Sequence, residues 1–513
     1  MAEISVPFAR VRPLSQIRDR YLLGGLVALV TGLDVLWRTI ETRPPHWDMA
    51  RHLGDSLATL HAFSLAHPLR FLELYLYYPP GVAWVADVFY AVTGNQAIWI
   101  AVLSNVVFVA VLVYSTYGIG VHLWDRRVGL LAAFFVVTEP VLVSAFKEYM
   151  LDAPLTAVVA LSMYLLLHSD GFARRRYAAA LGLVCGYGML VKWSFVLAVA
   201  LPVAAAVGGA ALDSIRTRTR ARVVNVLLAG GLAFLVCGLW YVHNFSALRA
   251  DTARFDTRAS HIEGDPPIAS LSSAFWYLWN LEHQLYLVPL VFLVAGLVYC
   301  FRREEVAARN FYPLLWFVGD YILFTLLRNK DARYTQPFLP AVAILATSWL
   351  TLVPTRVRRA LAGLLVVYGT IAFVAISFGT SLLPKDLSVG IGPNRIVSPT
   401  VDPEFVFFAQ RGYIIGPPSS EHWHQEDVFR LIARAPRSER AFWFEGGDSI
   451  WFNTWGTAYY AARYGASWVG LDAADFVIVR GPPSTPVPPV FHEVGYFRLP
   501  TGESLILYQR PSA

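Results

Sequence analysis

The sequence predicts a polytopic α-helical membrane protein that carries interfacial helices and ends in a small α/β domain. Hydrophobic residues make up 56% and charged residues 15% of its 513 residues, whereas soluble domains have roughly 45–50% apolar and about 25% charged residues. Apolar segments of about 20 residues, the length that crosses a bilayer, recur up to residue 380. Beyond it, glycine, proline and charge become more frequent. We therefore divide the chain into an N-terminal arm (1–20), a transmembrane domain (21–380) and a C-terminal domain (381–513).

The apolar segments give about eleven predicted spans. In chain order they are 21–38, 97–119, 128–146, 152–168, 178–191, 194–211, 223–243, 286–300, 311–327, 336–353 and 360–379. The fifth and sixth form one apolar run that must break near Lys192 and Trp193. Glu139 and Pro140 lie inside the third span and predict a kink with a local polar contact. No small-residue cleavage site follows the first span, which is expected to stay in the membrane.

The distribution of arginine predicts the orientation in the membrane. The N-terminal arm and the connections around 126–127, 174–176, 216–222, 302–309 and 356–359 are basic. Short basic loops stay in the cytoplasm, and alternating spans put all of these loops on that side. The C-terminal domain and the segment 39–96 then lie outside the cell membrane. This rule also explains the net charge of +6, so no nucleic-acid partner is predicted.

The segment 39–96 is too polar and too rich in proline for a plain loop. Residues 49–66 have the pattern of an amphipathic helix that lies in the membrane interface. Residues 80–93 are apolar but too short to cross, which predicts a second interfacial or re-entrant helix. Two such helices beside Asp48 would form the floor of a site at the membrane surface.

The C-terminal domain alternates between helical and strand patterns. The predicted order is a helix at 425–435, a strand at 441–445, a helix at 454–464, and strands at 475–480 and 503–509. This alternation is typical of a small α/β domain. It contains no glycine-rich phosphate loop, so nucleotide binding is not predicted.

Charged residues gather on the predicted outer face. They are Asp48, Lys147, Glu148, Asp152, Lys192, Arg328, Lys330 and Arg333. Ionisable groups at membrane depth indicate function by default, and cations at the outer lipid boundary suit a lipid phosphate. For Arg328 and Lys330 the alternative is that they reach past a helix end to ordinary headgroups.

Five short motifs occur in a meaningful order. They are Asp48, the Tyr78-Pro79-Pro80-Gly81 turn, Asp152 in Tyr149–Leu155, Lys192 after Leu190-Val191, and Arg333-Tyr334 at the start of a span. In this order they resemble the C-type glycosyltransferases, in the branch that holds protein O-mannosyltransferases and lipid A aminoarabinose transferases. Asp48 is followed by Met49, whereas the mannosyltransferase pattern has Asp-Glu. The resemblance leaves the sugar and the acceptor open.

The resemblance implies an enzyme that moves a sugar from a polyprenyl-phosphate donor to a protein, lipid or glycan acceptor. Asp48 suits a general base, whose pKa a partly apolar site would raise. Lys192, Arg333 and Arg328 suit the donor phosphate, and Asp152 is assigned as the second catalytic carboxylate. Substrate binding is assigned to Tyr78, Lys147, Glu148, His283 and Tyr334.

Several alternatives stay open at this point. Asp48 could be an ordinary loop carboxylate. Asp152 could orient the acceptor, bind a sugar hydroxyl, pair with Lys147 or Lys192, or simply cap a helix. No cofactor is expected, and no metal is predicted because His261, Glu263, Asp265 and His283 lack the spacing of zinc ligands. The three cysteines lie in apolar segments and predict no disulfide.

The main functional alternative is a membrane transporter or flippase for a lipid-linked or anionic substrate. Transporters commonly contain inverted repeats and ionisable groups near the bilayer midplane. This sequence contains no evident internal repeat, and its charged residues gather at one face. In a transferase Asp48, Asp152, Lys192 and Arg333 should converge on one outward cavity, whereas a transporter should continue a polar path to the inner face.

Overall fold

The computed structural model of the chain describes residues 13–63, 70, 74, 76–379, 386–391, 394–399, 415–481 and 487–511. Residues 1–12 of the predicted cytoplasmic arm lie outside this range. Helices dominate up to residue 379, and most strands follow in the C-terminal domain. The structure therefore confirms a largely helical membrane protein with a small C-terminal sheet domain.

The helices before the C-terminal domain follow one another with short connections. In order they are α1 (Pro13–Ile40), α2 (Trp47–Ala62), α3 (Gly81–Thr93), α4 (Ile98–Leu103), α5 (Asn105–Leu123), α6 (Arg126–Thr138), α7 (Pro140–Phe146), α8 (Asp152–His168), α9 (Arg175–Val191), α10 (Phe195–Thr217), α11 (Ala221–Glu263), α12 (Leu271–Leu285), α13 (Leu287–Arg302), α14 (Glu304–Arg309), α15 (Phe311–Thr325), α16 (Leu339–Ser348) and α17 (Thr355–Phe378). Two 3-10 helices, Ala332–Phe338 and Trp349–Leu352, flank α16. Every residue of α16 is buried, so this helix forms part of the centre of the bundle.

Each predicted span corresponds to a helix or to a helix pair. In the described part of the chain, six helical segments are long and apolar enough to cross a membrane, and the bent pair α6–α7 would make a seventh. Four more apolar helices, among them α8, α13 and α15, are shorter. The predicted count of eleven spans is therefore not confirmed, although the order of the helices is.

Two predicted helix breaks are present. The axis turns by 65° between α6 and α7, at Glu139 and Pro140, because proline removes a backbone donor and clashes with the preceding turn. The kink prediction is confirmed, but among the described residues the Glu139 carboxylate has no hydrogen-bond partner. The second break separates α9 from α10 at Lys192, whose backbone is extended (φ −158°, ψ 136°).

The predicted interfacial helices of segment 39–96 are α2 and α3. Helix α2 buries an apolar side that includes Met49, Leu53 and Leu57. Helix α3 meets the end of α9 at Gly81, where an added Cβ would lie 2.6 Å from Leu190 O. Only glycine allows so close an approach, and it brings the Tyr78–Pro80 turn next to the break that carries Lys192.

The C-terminal domain contains a mixed five-stranded sheet of order β4-β3-β5-β7-β6. Strands β1 (Asp386–Ile391) and β2 (Asn394–Pro399) precede it as a separate hairpin, and the domain continues with α18 (Gln425–Ile432), β3 (Ala441–Glu445), α19 (Thr454–Tyr464), β4 (Ser467–Trp468), β5 (Phe476–Arg480), β6 (His492–Arg498) and β7 (Ser504–Gln509). Strand β3 is parallel to β4 and β5, and β7 is antiparallel to β5 and β6. The five predicted elements are confirmed. Strand β6 was not predicted, because it is a mostly exposed edge strand without an apolar alternation.

The C-terminal domain packs directly on the end of α1 and on the segment between α1 and α2. Thr42 N donates to Ser419 O (3.1 Å), and Trp37 Nε1 donates to Gly416 O (3.1 Å). The Arg43 guanidinium lies 4.6 Å from the Trp451 ring. The domain therefore borders the region that contains Asp48.

Candidate active site

Asp48 and Arg333 form an ion pair that joins two distant parts of the chain. Asp48 is the second residue of α2, where the helix dipole favours a carboxylate. Arg333 Nη1 donates to Asp48 Oδ2 (2.8 Å), and the side chains are 19% and 50% exposed. Both predicted site residues thus reach the same solvent-accessible place.

Asp331 holds Arg333 in this position. It caps the 3-10 helix that starts at Ala332 by accepting from Arg333 N (2.8 Å). The same carboxylate accepts from Arg333 Nε (2.8 Å) and Nη2 (2.5 Å). One guanidinium therefore bridges two carboxylates, a geometry that its planar fork of donors permits and a lysine could not reproduce.

The ionisation of Asp48 departs from the sequence-based expectation. Burial raises the pKa of Asp48, but the charge of Arg333, with smaller effects of His52 and His46, lowers it more. The net pKa lies well below its usual value, whereas the sequence predicted a raised one. The difference arises because the bond to Arg333 joins residues 285 positions apart, which no local pattern reveals.

Lys192 and Asp152 form a second, more deeply buried pair. Lys192 Nζ donates to Asp152 Oδ1 (2.7 Å), with side-chain exposures of 7% and 4%. Of the two predicted partners of Asp152, Lys192 is the one found. Asp152 is the first residue of α8, and Leu151 stands at the cap position without a side-chain capping bond. The interpretation of Asp152 as only a helix cap is therefore wrong.

Aromatic rings surround the Lys192 ammonium. Its Nζ lies 5.6 Å from the Tyr78 ring centroid and 5.3 Å from that of Tyr334. Both distances fall within the range of cation–π attraction. His52 meets Tyr78 edge-on at 5.3 Å. The predicted substrate residues Tyr78 and Tyr334 thus both line the surroundings of a predicted phosphate ligand.

The two ion pairs belong to one cluster. The charges of Asp48 and Asp152 both act on Arg333 and on the Tyr78 hydroxyl. His52 lies within electrostatic range of Asp48, Lys192 and Arg333. The sequence-based prediction depended most on Asp48, Asp152, Lys192 and Arg333. These four residues therefore lie in one cluster, in which each cation contacts a carboxylate.

Glu148 and Lys147 lie behind this cluster. Glu148 Oε2 accepts from His46 Nε2 (2.9 Å), with both side chains nearly inaccessible. Lys147 is completely buried and donates to Ile376 O (3.3 Å), close to the Trp37 ring. The structure does not bring Lys147 into the cluster, because its side chain points into the bundle. Glu148 instead contacts His46, the residue just before α2, and its assignment to substrate binding stays a prediction.

Arg328 and His283 are not members of the two ion pairs. Arg328 is exposed in the turn after α15. His283 is half-buried on α12, next to Gln284, whose Nε2 donates to Ala332 O (2.5 Å) and so anchors the 3-10 helix of Arg333. The roles predicted for both residues, in phosphate and in substrate binding, stay predictions.

Sequence reasoning missed several residues of the site. Besides Asp331, the Arg51 guanidinium lies 5.0 Å from the Tyr77 ring and 5.0 Å from the Trp455 ring of α19. The spacing of Arg51 and His52 from Asp48, three and four positions along α2, places them on the same helix face. That spacing was a usable signal. The contact with Trp455 could not be found locally, because it depends on how the C-terminal domain docks.

Comparisons with known proteins agree with this geometry. The profile of the dolichyl-phosphate-mannose–protein mannosyltransferase family matches residues 78–241, which include Tyr78, Asp152 and Lys192. An undecaprenyl phosphate-alpha-4-amino-4-deoxy-L-arabinose arabinosyl transferase of Pectobacterium carotovorum is 26% identical over 305 residues, 56% of this chain and 51% of that protein. A second such transferase, of Proteus mirabilis, is 23% identical over 329 residues, 61% of this chain and 55% of that protein. The chain thus spans about half the length of these curated relatives.

Solved structures share the fold over nearly the whole chain. The apo crystal structure of ArnT from Cupriavidus metallidurans has a TM-score of 0.60 at 13% identity and covers 96% of this chain and 98% of that one. The structure of the same protein bound to undecaprenyl phosphate has a TM-score of 0.57 at 13% identity and covers 95% and 97%.

These relatives are glycosyltransferases by name, and the alternative of a transporter or flippase gains no support from them. The comparisons confirm what the motifs predicted: the chain has the C-type glycosyltransferase fold and is related to the branch of protein mannosyltransferases and aminoarabinose transferases.

Proposed function

We propose that the chain transfers a sugar from a polyprenyl-phosphate donor to an acceptor on the extracytoplasmic face of the cell membrane. The observation that carries this proposal is the convergence of two carboxylate–cation pairs, Asp48–Arg333 and Asp152–Lys192, between aromatic walls. The names of the relatives support a polyprenyl-phosphate donor, since they include undecaprenyl phosphate and dolichyl phosphate.

The proposed reaction is a displacement at the anomeric carbon of the donor. An acceptor hydroxyl or amine forms the new bond to that carbon while the bond to the phosphate oxygen breaks. The electron pair of the broken bond leaves with the polyprenyl phosphate, and the acceptor proton passes to Asp48. Asp48 suits this role because it is half exposed and ionised, so that an acceptor can reach it.

Lys192 and Arg333 would stabilise the negative charge that the leaving phosphate gains. Preorganised cations in a partly dry site lower the barrier most where charge develops. In the structure both cations are bonded to carboxylates. A phosphate that bonds to Arg333 would compete with Asp48 for its Nη1. The pKa of Asp48 would then rise, since its main stabilising charge is shared, and Asp48 would become a better base once the donor is bound.

No cofactor enters this scheme, and membrane lipids, the lipid-linked donor and the acceptor are the proposed partners. Asp152 would keep Lys192 oriented and could also bind a sugar hydroxyl. The sugar and the nature of the acceptor, whether protein, lipid or cell-envelope glycan, are questions for experiment.

The test is an assay of purified protein with a panel of undecaprenyl- and dolichyl-phosphate sugars. Release of the polyprenyl phosphate is followed in the presence of candidate acceptors. The proposal expects release with at least one donor, unchanged by a metal chelator. Two results together would favour a flippase and overturn the proposed transferase function. They are that no donor of the panel is turned over and that a lipid-linked sugar crosses the bilayer of proteoliposomes intact.

A further inference from the structure

A cavity of about 740 Å³ lies between α1, α5 and α8, away from the cluster around Asp48. Its volume is within the roughly 300–1,000 Å³ of typical ligand sites. It is lined by residues from the start of α1, from α5 and from the later half of α8, among them Arg20, Val111, His122, Tyr164 and His168. The reaction proposed above uses none of them.

The cavity lies at the opposite end of the helix bundle from the candidate active site around Asp48 and Asp152. Asp152 is the first and His168 the last residue of α8. At a rise of 1.5 Å per residue these positions are about 24 Å apart, close to the thickness of the hydrocarbon core. Since the site is assigned to the outer face, the cavity opens at the level of the cytoplasmic leaflet, among the basic loops.

One end of the cavity is polar and carries more positive than negative charge. The rings of His122 and His168 lie 4.5 Å apart, and His168 Nδ1 donates to Tyr164 O (2.8 Å), which leaves Nε2 as a hydrogen-bond acceptor. Arg174 lies within electrostatic range of both histidines, and Asp170 within range of His122.

The acidic group that lines the cavity is already neutralised. Asp19 accepts from Arg126 Nε (2.7 Å) and from the Tyr117 hydroxyl (2.5 Å). The exposed Arg20 side chain therefore adds a positive charge that this carboxylate does not balance. Such an end favours an anion that can accept hydrogen bonds.

The remainder of the wall is apolar. Leu23, Ala110, Val111 and Leu161 line it together with the faces of Tyr114 and Tyr164. Gly118 lets Tyr164 pack against α5, since a Cβ at that position would lie 2.5 Å from the Tyr164 ring. An apolar wall joined to a cationic end matches a molecule with a hydrocarbon chain and an anionic head.

We propose that this cavity binds an anionic phospholipid of the cytoplasmic leaflet. Its phosphate would lie at Arg20, a headgroup hydroxyl would donate to His168 Nε2, and the first carbons of an acyl chain would lie along Val111 and Leu161. Basic pockets between transmembrane helices on the cytoplasmic side are suited to anionic headgroups. The site is independent of the transfer reaction and would be occupied whether or not donor is present.

The test is native mass spectrometry of the full chain released from micelles doped with phosphatidylglycerol, phosphatidylcholine or inorganic phosphate. Wild-type protein should retain phosphatidylglycerol, at least tenfold more than phosphatidylcholine, and excess inorganic phosphate should not displace it. Equal retention of both lipids, no retained lipid, or displacement by inorganic phosphate would each overturn the proposal.

Two variants with matched controls locate the binding. Val111→Trp fills the apolar wall, and Val107→Trp makes the same change on the exposed side of α5 outside the cavity. Arg20→Gln removes the headgroup cation, and Arg302→Gln removes an exposed arginine elsewhere. We expect at least a tenfold loss of phosphatidylglycerol in the first member of each pair only. Equal retention within both pairs would overturn the proposal. If Val111→Trp failed to fold, equal retention by Arg20→Gln and Arg302→Gln would still overturn it, because Arg20 is exposed and its variant should fold.

Discussion

At the scale of single residues, the position of Arg333 between Asp48 and Asp331 determines the protonation state of the site. Burial alone would raise the pKa of Asp48, and Arg333 reverses that effect. Asp48 therefore stays ionised when the pH falls below the usual pKa of a carboxyl group. The acceptor meets a carboxylate that is ionised over a broad range of pH, and this carboxylate would become a stronger base when a donor phosphate competes for Arg333.

This account predicts a changed pH profile for Arg333→Gln. Removing the guanidinium leaves burial unopposed by its main counterion, so the pKa of Asp48 rises and protonation begins at higher pH. The acid limb of kcat/KM should move up by about 1–3 pH units, in addition to the loss of phosphate binding. Rates of lipid phosphate release at a series of pH values measure it.

Arg328→Gln is the control for this experiment. Arg328 is exposed in the neighbouring turn and has no bond to Asp48 among the hydrogen bonds of the described residues. Its acid limb should match that of the wild type. An acid limb that is the same in Arg333→Gln as in wild type would show that Arg333 does not set the charge of Asp48.

At the scale of elements, helix breaks place the site. The chain leaves the helical conformation at Lys192 and turns into α10, and Gly188 permits this turn because a Cβ there would meet the Phe195 ring at 2.4 Å. The close contact of Gly81 with Leu190 O brings the Tyr78 turn to the same point. The Tyr78 turn thus supplies one ring beside Lys192, and the 3-10 helix Ala332–Phe338 supplies the other, that of Tyr334.

Gly81→Ala should therefore impair activity through geometry. The new methyl group would lie 2.6 Å from Leu190 O, so α3 must move away from α9. Because a misplacement of about 1 Å can cost about 10²-fold in rate, we expect kcat to fall at least about tenfold, and overpacking to cost about 1–3 kcal/mol of stability. Kinetic assays and thermal unfolding in detergent measure both effects.

Gly54→Ala is the matched change on α2. A Cβ there meets no atom within 4 Å, and alanine suits a helix interior better than glycine. It should keep wild-type kcat and stability. If Gly81→Ala were as active and stable as Gly54→Ala, the tight contact between α3 and α9 would have no role in placing the site.

The sequence predicted the helices and their breaks better than it predicted which residues contact each other. Apolar periodicity predicted the order of the helices, the break at Lys192 and the kink at Pro140, since all of these are local properties. It also identified Asp48, Asp152, Lys192 and Arg333 as charged residues at helix ends. The sequence offered Lys147 and Lys192 as partners of Asp152, and Lys192 is the one found. The pair of Asp48 with Arg333 could not be predicted, because its bond joins residues 285 positions apart. For the same reason the burial of Lys147 was missed. The bond of Asp331 to Arg333 is local, and its spacing of two positions was a usable signal.

At the scale of the whole molecule, the reaction proposed for the cluster requires that the site faces the extracytoplasmic side of the membrane. The C-terminal domain packs on the segment before Asp48 and must share its side. The basic loops at the other ends of the helices predict that this side is extracytoplasmic. The boundaries of the three predicted regions, at residues 20 and 380, also stay predictions.

Cysteine labelling of intact cells should test this orientation. A cysteine at the exposed position Ser420 should react with a membrane-impermeant thiol reagent added from outside. Thr219→Cys, in the basic connection between α10 and α11, should react only after permeabilisation. The opposite pattern would put the C-terminal domain in the cytoplasm, and with it the site.

The most direct measurement of the central claim compares Asp48→Asn with the wild type in the release assay, with donor and acceptor both present. Asparagine keeps the shape and most hydrogen bonding of the side chain but cannot take the acceptor proton. General base catalysis contributes about 10²–10⁴-fold, so polyprenyl phosphate release should fall by about that factor while donor binding is retained. Release at nearly the wild-type rate would contradict the assignment of Asp48 as the base.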